Sequence, residues 1–331
     1  MLQNQTLNDQ ALPQVNESIG YVRELAERLA NLLGWVVNGK PEAIEATITT
    51  LFAGGHLLFE DVPGVGKTTL ATALARSIDA DTRRIQFTSD MLPTDVTGLS
   101  IFDQESRGFE FHPGPIFTNL LVGDEVNRAT PKTQSALLEA MAEHSVTVDG
   151  QTRLLPTLFM VLATQNPQDM EGTFPLPEAQ RDRFMTRISL GYPSVETEIS
   201  MLVNRGASEP VDSVSAVASV DEVVAAQRVT AGVHVADPVA AYLVGIVAGT
   251  RAHPSSSLGG SPRATLHLAR MARARAAIHG RNYVTPDDVA ALAGTVLQHR
   301  VVPKGRFASV QESYQAASSI VAEVVARTPV R

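Results

Sequence analysis

The segment Pro63-Gly64-Val65-Gly66-Lys67-Thr68-Thr69 sets two glycines, a lysine and two hydroxyls directly after an apolar run and at the head of a helical pattern. Glycines let backbone N–H groups wrap phosphate oxygens, lysine supplies a point charge, and the first threonine supplies an oxygen ligand for Mg²⁺. The full G-x-x-x-x-G-K-[ST] pattern wants its first glycine where this chain has Asp61, so the entry of the loop departs from it. The bland alternative is a strand–turn–helix junction that happens to contain Gly-Lys-Thr.

A second group weighs against that alternative. Asn119-Leu120-Leu121-Val122-Gly123-Asp124-Glu125 is an apolar strand ending in two carboxylates. Asp124 at the tip can hold Mg²⁺ through its water shell, and Glu125 can polarise an attacking water, as phosphoryl transfer requires. A solvated acidic pair is the ordinary alternative. With this strand expected beside the strand that precedes the glycine loop, both carboxylates would face the same crevice. A third apolar run ends in Ala163-Thr164-Gln165-Asn166-Pro167, whose amide Asn166 could contact the γ-phosphate or the nucleophilic water; an Asx turn before proline is its bland reading. In Ser261-Pro262-Arg263, Ser is a natural N-cap and Pro a natural first residue, which puts Arg263 in a first helical turn. A cation there opposes the helix macrodipole by about 0.3–1 kcal/mol, and a nearby phosphate would reverse the sign.

These residues need elements to hold them. HLLFE (56–60), RRIQF (83–87), NLLVG (119–123), TLFMVLAT (157–164) and RISL (187–190) are strand-sized, the central three reading as mostly apolar, as in parallel strands covered on both faces. Helical patterns at 67–78 and 131–143 lie between them, and this alternation implies a doubly wound sheet. Two interruptions, 100–112 and 144–155, predict inserted hairpins; Asp149-Gly150 in the second suits a type I′ turn, which needs positive φ twice. Ahead of the sheet, residues 1–16 read as a loose tail, a helix is expected from Ile19, and Pro41 opens another. After Tyr192-Pro193 the strand pattern stops. Ser219-x-x-Glu222 and Thr285-x-x-Asp288 read as capping boxes and Asp237-Pro238 and Ser261-Pro262 as helix starts, so 193–331 is expected to be an all-helical second domain after a 1–192 α/β domain.

Composition narrows the classes. The 331 residues suit about two domains, and 44% hydrophobic content allows ordinary cores. There is no cysteine, which removes thiol nucleophiles, disulfides and cysteine-ligated metals. A net charge of -8 argues against bulk attraction to nucleic-acid phosphates. The best apolar stretch, 239–248, is about half of the ~20 residues a membrane helix needs. No signal peptide is read at the N-terminus, and the expectation is a cytoplasmic protein without membrane insertion. The eight histidines show no paired metal spacing.

The longer runs carry a resemblance. HLLFEDVPGVGKTTLA (56–71), DMLPTDVTG (90–98), FHPGPIF (111–117), VGDEVNRATPKTQSALLEAMAEHSVTVDG (122–150), ATQNP (163–167) and LPEAQRDRF (176–184) resemble the MoxR family of AAA+ ATPases, in the helix-2-insert clade, from about residue 18 to the C-terminal helices. The resemblance implies a P-loop AAA+ core, with a parallel five-stranded sheet, helices on both faces and two inserted β-hairpins, plus a smaller all-α lid domain. It implies Mg·ATP as ligand and ATP hydrolysis as activity, with Lys67 and Thr68 at Walker A, Asp124 and Glu125 at Walker B, Asn166 at sensor 1, Arg183 as the finger acting on a neighbour's nucleotide, and Arg263 at sensor 2. Arg181 stands where the family more often has Leu, and is a rival for the finger. Gly123 stands where Ala or Val is more usual, a departure expected to be harmless. By the same resemblance the chain forms a hexameric ring that remodels or matures a protein client, through a partner carrying a von Willebrand A domain. Two other classes remain: a nucleotide-gated scaffold with little turnover, against which Glu125 speaks, and a DNA-linked AAA+ motor, against which the acidic balance speaks.

Overall fold

The structure, a computed structural model, describes residues 15–166, 172–204 and 210–330. Two helices open it, α1 (Val15–Val36) and α2 (Pro41–Phe52). There follow β1 (Leu57–Glu60), α3 (Lys67–Ser77), the two-residue β2 (Ile78–Asp79), β3 (Thr82–Gln86), α4 (Pro93–Thr97), β4 (Gly98–Asp103), β5 (Gly108–Pro113) and β6 (Leu120–Asp124). Next come α5 (Pro131–Glu143), β7 (Ser145–Val148), β8 (Gln151–Leu154), β9 (Met160–Gln165), the short α6 (Glu178–Arg181) and β10 (Thr186–Ile188). The rest is α7 (Val195–Asn204), β11 (Ala218–Ser219), α8 (Val220–Ala231), α9 (Asp237–Ala252), β12 (Ser256–Leu258), α10 (Pro262–Ile278), α11 (Pro286–Leu297), β13 (Val302–Pro303) and α12 (Val310–Arg327).

Five strands form one parallel sheet in the order β10-β1-β9-β6-β3. Side chains alternate across a strand, and here each alternate set enters its own core. Leu57, Phe59, Leu120, Val122, Met160 and Leu162 join the cluster containing α1, α2 and α3. Leu58, Leu121, Val161 and Ala163 join the one containing α5. The sheet is therefore covered on both faces, which is why its inner strands read as unbroken apolar runs.

Four expectations need correction here. RRIQF does not lie among the central strands: β3 is an edge strand with exposed Arg83, Arg84 and Gln86, as its polar residues allow. The strand ending in Asp124 is not beside β1, because β9 inserts between β6 and β1 and pairs with both. Nor is the C-terminal part wholly helical; β11 pairs with β2, and β12 with β13. The helix expected from Ile19 begins at Val15, so the tail assigned to residues 1–16 overlaps it, and residues 1–14 lie outside the described ones.

The local signals hold. Asp149 and Gly150 have φ of 51° and 73°, closing the β7–β8 hairpin, and β4 pairs with β5 in the other insertion. Ser219 and Thr285 form capping boxes with Glu222 and Asp288, and the Ser261 hydroxyl accepts from the Ala264 N–H. The apolar 239–248 stretch is the inner face of α9, burying Val239, Tyr242, Leu243, Ile246 and Val247. No helix among the described residues is long and apolar enough to cross a membrane.

Candidate nucleotide site

The glycine loop joins β1 to α3. Gly64 and Gly66 have φ of 83° and 92°, a region that glycine enters freely, and neither would meet a neighbouring atom through an added Cβ; the constraint at both is backbone conformation. Position 61 needs no such freedom, since Asp61 is absent from the residues with positive φ. Its Oδ2 instead accepts from Ser189 Oγ at 2.7 Å and Gly191 N, and its Oδ1 from Val62 N at 2.8 Å. Burial alone would raise this carboxyl, but the hydrogen bonds from Gly191, Ser189 and Val62 outweigh it and hold the pKa below its ordinary value. The missing first glycine is thus replaced by a carboxylate that ties the loop to the segment after β10.

Lys67, the first residue of α3, is 7% exposed. Its ammonium donates to the Val62 carbonyl and to Asn166 Oδ1, each at 2.8 Å, and to the Asp61 carbonyl. Burial lowers its pKa, against the opposing pull of the Asp61, Glu125, Glu60 and Asp124 carboxylates. The Thr68 hydroxyl donates to Asp124 Oδ1 at 2.8 Å, and Thr164 donates to the same oxygen at 3.2 Å. Glu125 has φ of 55°, so the chain turns sharply after the buried Asp124 and the two carboxylates diverge. Glu125 Oε1 accepts from Asn166 Nδ2 at 3.3 Å; its Oε2 meets Gln86 Nε2 and Arg128 Nε, each at 3.0 Å. Pro63 to Thr69, Asp124, Glu125 and Asn166 all line one cavity of about 690 Å³. Although β6 is one strand further from β1 than the sequence suggested, the strand tips converge, because β9 supplies Thr164 and Asn166 between them.

Two expected site residues lie elsewhere. Arg183 does not line this cavity; its Nη1 donates to the Leu138 carbonyl at 2.6 Å, and it borders a separate groove beside the β7–β8 hairpin, with Ser145, Thr147 and Thr152. Arg263 is also outside the cavity and faces the Asp182 carboxylate at 3.7 Å. The first-turn cation that was expected to be matched by a phosphate is matched in this chain by Asp182. That carboxylate also accepts from Ser261, the cap of the same helix, and from Arg300 Nε at 2.7 Å. Asp182 therefore holds the Arg183 segment and the Arg263 helix end together. Arg181 points inward, contacting Tyr314 Oη at 3.4 Å and Glu178 at 3.8 Å.

Other residues of the site were not singled out from the sequence. Arg84 makes a paired contact to Asp124 Oδ2, at 2.8 Å through Nε and 2.7 Å through Nη2. Gln86 lies opposite Asp124 in the β3–β6 register. The signal was present: Arg84 and Gln86 are two apart, on one face of a strand too polar for the sheet interior. Trp35, the chain's one tryptophan, also lines the cavity and is 57% exposed.

A hydroxyl and a carboxylate in mutual contact at the cavity wall, with a lysine beside them, are the hard oxygen donors that magnesium takes when phosphates and waters complete its shell. Among the described residues no cluster of three or more His, Cys, Asp or Glu offers an all-protein metal site.

Known proteins resemble this chain over most of its length. The family model described as ATPase family associated with various cellular activities (AAA) matches residues 56–186, and that of the AAA lid domain matches 248–323. Uncharacterized protein YeaC of Bacillus subtilis (strain 168) is 47% identical over 297 residues, which cover 89% of this chain and 91% of that one. Chaperone MoxR1 of Mycobacterium tuberculosis is 39% identical, covering 81% and 73%. Protein MoxR of Methylorubrum extorquens is 31% identical, covering 84% and 88%. A crystal structure of a provisionally assigned ATPase from Cytophaga hutchinsonii superposes with a TM-score of 0.83 at 34% identity, over 95% of this chain and 97% of that one.

Proposed function

Because the chain belongs to the MoxR family of AAA+ ATPases, we propose that it hydrolyses Mg·ATP in the cavity at the strand tips and uses the cycle to remodel a protein client. The observation that carries this reading is the convergence of Lys67, Thr68, Asp124, Glu125 and Asn166 on one cavity. The 63–69 backbone and Lys67 bind the phosphates. Thr68 and Asp124 are the residues that would hold magnesium, which when bound would neutralise charge on the phosphate oxygens. Glu125 takes the proton of the attacking water, and Asn166, hydrogen-bonded to it, fixes its carboxylate.

Arg183 and Arg263 act on the nucleotide of a neighbouring copy in a ring, hexameric by analogy with the family. Supporting this is their common location: Asp182 joins the two, and both are outside their own chain's cavity. Arg181, turned in against Tyr314, is the poorer finger. Mixing Lys67→Ala and Arg183→Ala protomers tests the shared site. Each alone loses activity, the second by roughly 10³-fold or more; their mixture regains it if one chain's loop is completed by another's arginine, and stays inactive if the sites are self-contained.

The client role rests on the name of the relative Chaperone MoxR1 and on two hairpins that the sheet does not need for closure. Phe102, Phe109 and Leu154 on them are exposed. Affinity capture with Glu125→Gln and ATP should retain the ring together with a client or a von Willebrand A-domain partner. Recovery of monomers alone would remove the remodelling reading.

A further inference from the structure

Glu60, the last residue of β1, is 1% exposed and does not line the phosphate cavity. Its Oε1 accepts from Gln165 Nε2 at 2.6 Å and from Tyr314 Oη at 2.7 Å, and its Oε2 from Arg187 Nε. The Arg187 guanidinium lies 3.9 Å over the Tyr314 ring. One carboxylate thus joins the β1 tip, where the glycine loop begins, the β9 tip, whose next residue is Asn166, and α12, which lies largely in the region matching the lid model. Buried ion pairs often add no more stability than apolar side chains of equal volume, and what this one adds is a fixed geometry between three elements. Gln165 adds a second observation. Its Oε1 is buried without a partner, an arrangement native folds seldom accept. With Glu60 accepting from the amide nitrogen, the opposite orientation would set oxygen against carboxylate; Glu60 alone decides how this side chain sits.

We propose that Tyr314 is a positioning residue for hydrolysis. Its hydroxyl, through Glu60 and Gln165, sets the tip of β9 and so the placement of Asn166, which contacts Lys67 at 2.8 Å and Glu125 at 3.3 Å. The C-terminal helix is in this way connected to the water-orienting groups by three side chains, and a shift of α12 alters the catalytic strand tips without touching nucleotide. The inference rests on the roles given above to Glu125 and Asn166.

Tyr314→Phe keeps the ring over Arg187 and removes only the hydroxyl. The expected result is a kcat lowered by about ten-fold, the size of one hydrogen bond to a charged group, with ATP affinity, followed by Trp35 emission, within about two-fold of the parent. Gln165→Leu breaks the next connection; it too lowers kcat, and the double variant is no slower than the slower single one. Arg181 also donates to the Tyr314 hydroxyl, and if the effect ran through Arg181 the two losses would multiply, which overturns the proposal. An unchanged kcat in Tyr314→Phe, or equal losses of kcat and affinity, overturns it as well. Should Gln165→Leu fail to fold, the kcat-against-affinity split in Tyr314→Phe decides. Absence of ATP turnover in the parent protein instead removes the functional reading, and this inference with it.

Discussion

At the scale of single residues, Asp61 and Glu125 show how one side-chain type serves two ends. Asp61 accepts from Ser189, Gly191 and Val62 and ties the loop entry to the chain after β10; Glu125 faces the cavity with Asn166, Gln86 and Arg128 around it. Restoring the glycine of the P-loop pattern should therefore harm the protein: Asp61→Gly is expected to lower unfolding stability in urea by about 0.5–1.5 kcal/mol, since the partly buried Val62 and Gly191 N–H groups lose their acceptor. Equal or greater stability would mean that the carboxylate holds nothing. Lys67, Thr68, Asp124, Glu125 and Asn166 were legible because each stands at a strand tip or helix head, where sequence order and function coincide. Arg84 and Trp35 were not, because their place depends on which strand and which helix end the tertiary fold brings to the cavity mouth.

At the scale of elements, β6 and β3 depend on one another through Gly123. A Cβ at that position would stand 3.0 Å from the Phe87 ring, so the glycine that departs from Ala or Val here leaves the room this ring fills. Gly123→Ala should destabilise by about 1–3 kcal/mol through overpacking, and Phe87→Leu in that background should recover part of the loss. Additive losses in urea unfolding would show the two sites to be independent. The helices, caps and hairpins were readable from short-range signals: Asp149-Gly150 states its own φ requirement, and Ser219 and Glu222 state their cap. Strand order was not, because which strands pair is decided by contacts distant in sequence. The polar residues of RRIQF exclude the sheet interior but do not say which strand it pairs with, and nothing in ATQNP says that its strand will separate β1 from β6.

At the scale of the whole molecule, three histidines hold distant parts together while kept neutral. Burial pushes His56 down to about 4, where its ring nitrogens meet the Met141 carbonyl and the Val161 N–H. Burial and the Arg300 charge push His267 to about 2 and His299 well below its ordinary value. Below the unfolded pKa of about 6.5 the unfolded chain takes protons that the native state refuses, so each histidine lowers stability by about 1.4 kcal/mol per pH unit. Glu222, lowered from 4.5 to about 2 chiefly by Arg28, contributes stability that is fully present above the ordinary carboxyl range and is lost only as pH falls from 4.5 toward 2, so it leaves the window from pH 6.5 to 5 to the histidines. Stability measured by urea unfolding should then fall steeply from pH 6.5 to 5; a flat profile there would show these rings to be protonated or exposed. For the whole molecule the proposal is that three strand tips of one chain make a cavity in which ATP is bound and cut. The most direct measurement is phosphate release by the parent and by Glu125→Gln, with ATP binding followed in parallel through Trp35. Glu125→Gln should bind ATP as the parent does and release phosphate more slowly by roughly 100-fold or more, as expected for loss of a general base. Undiminished release by Glu125→Gln, or a parent that neither binds nor hydrolyses ATP, would contradict it.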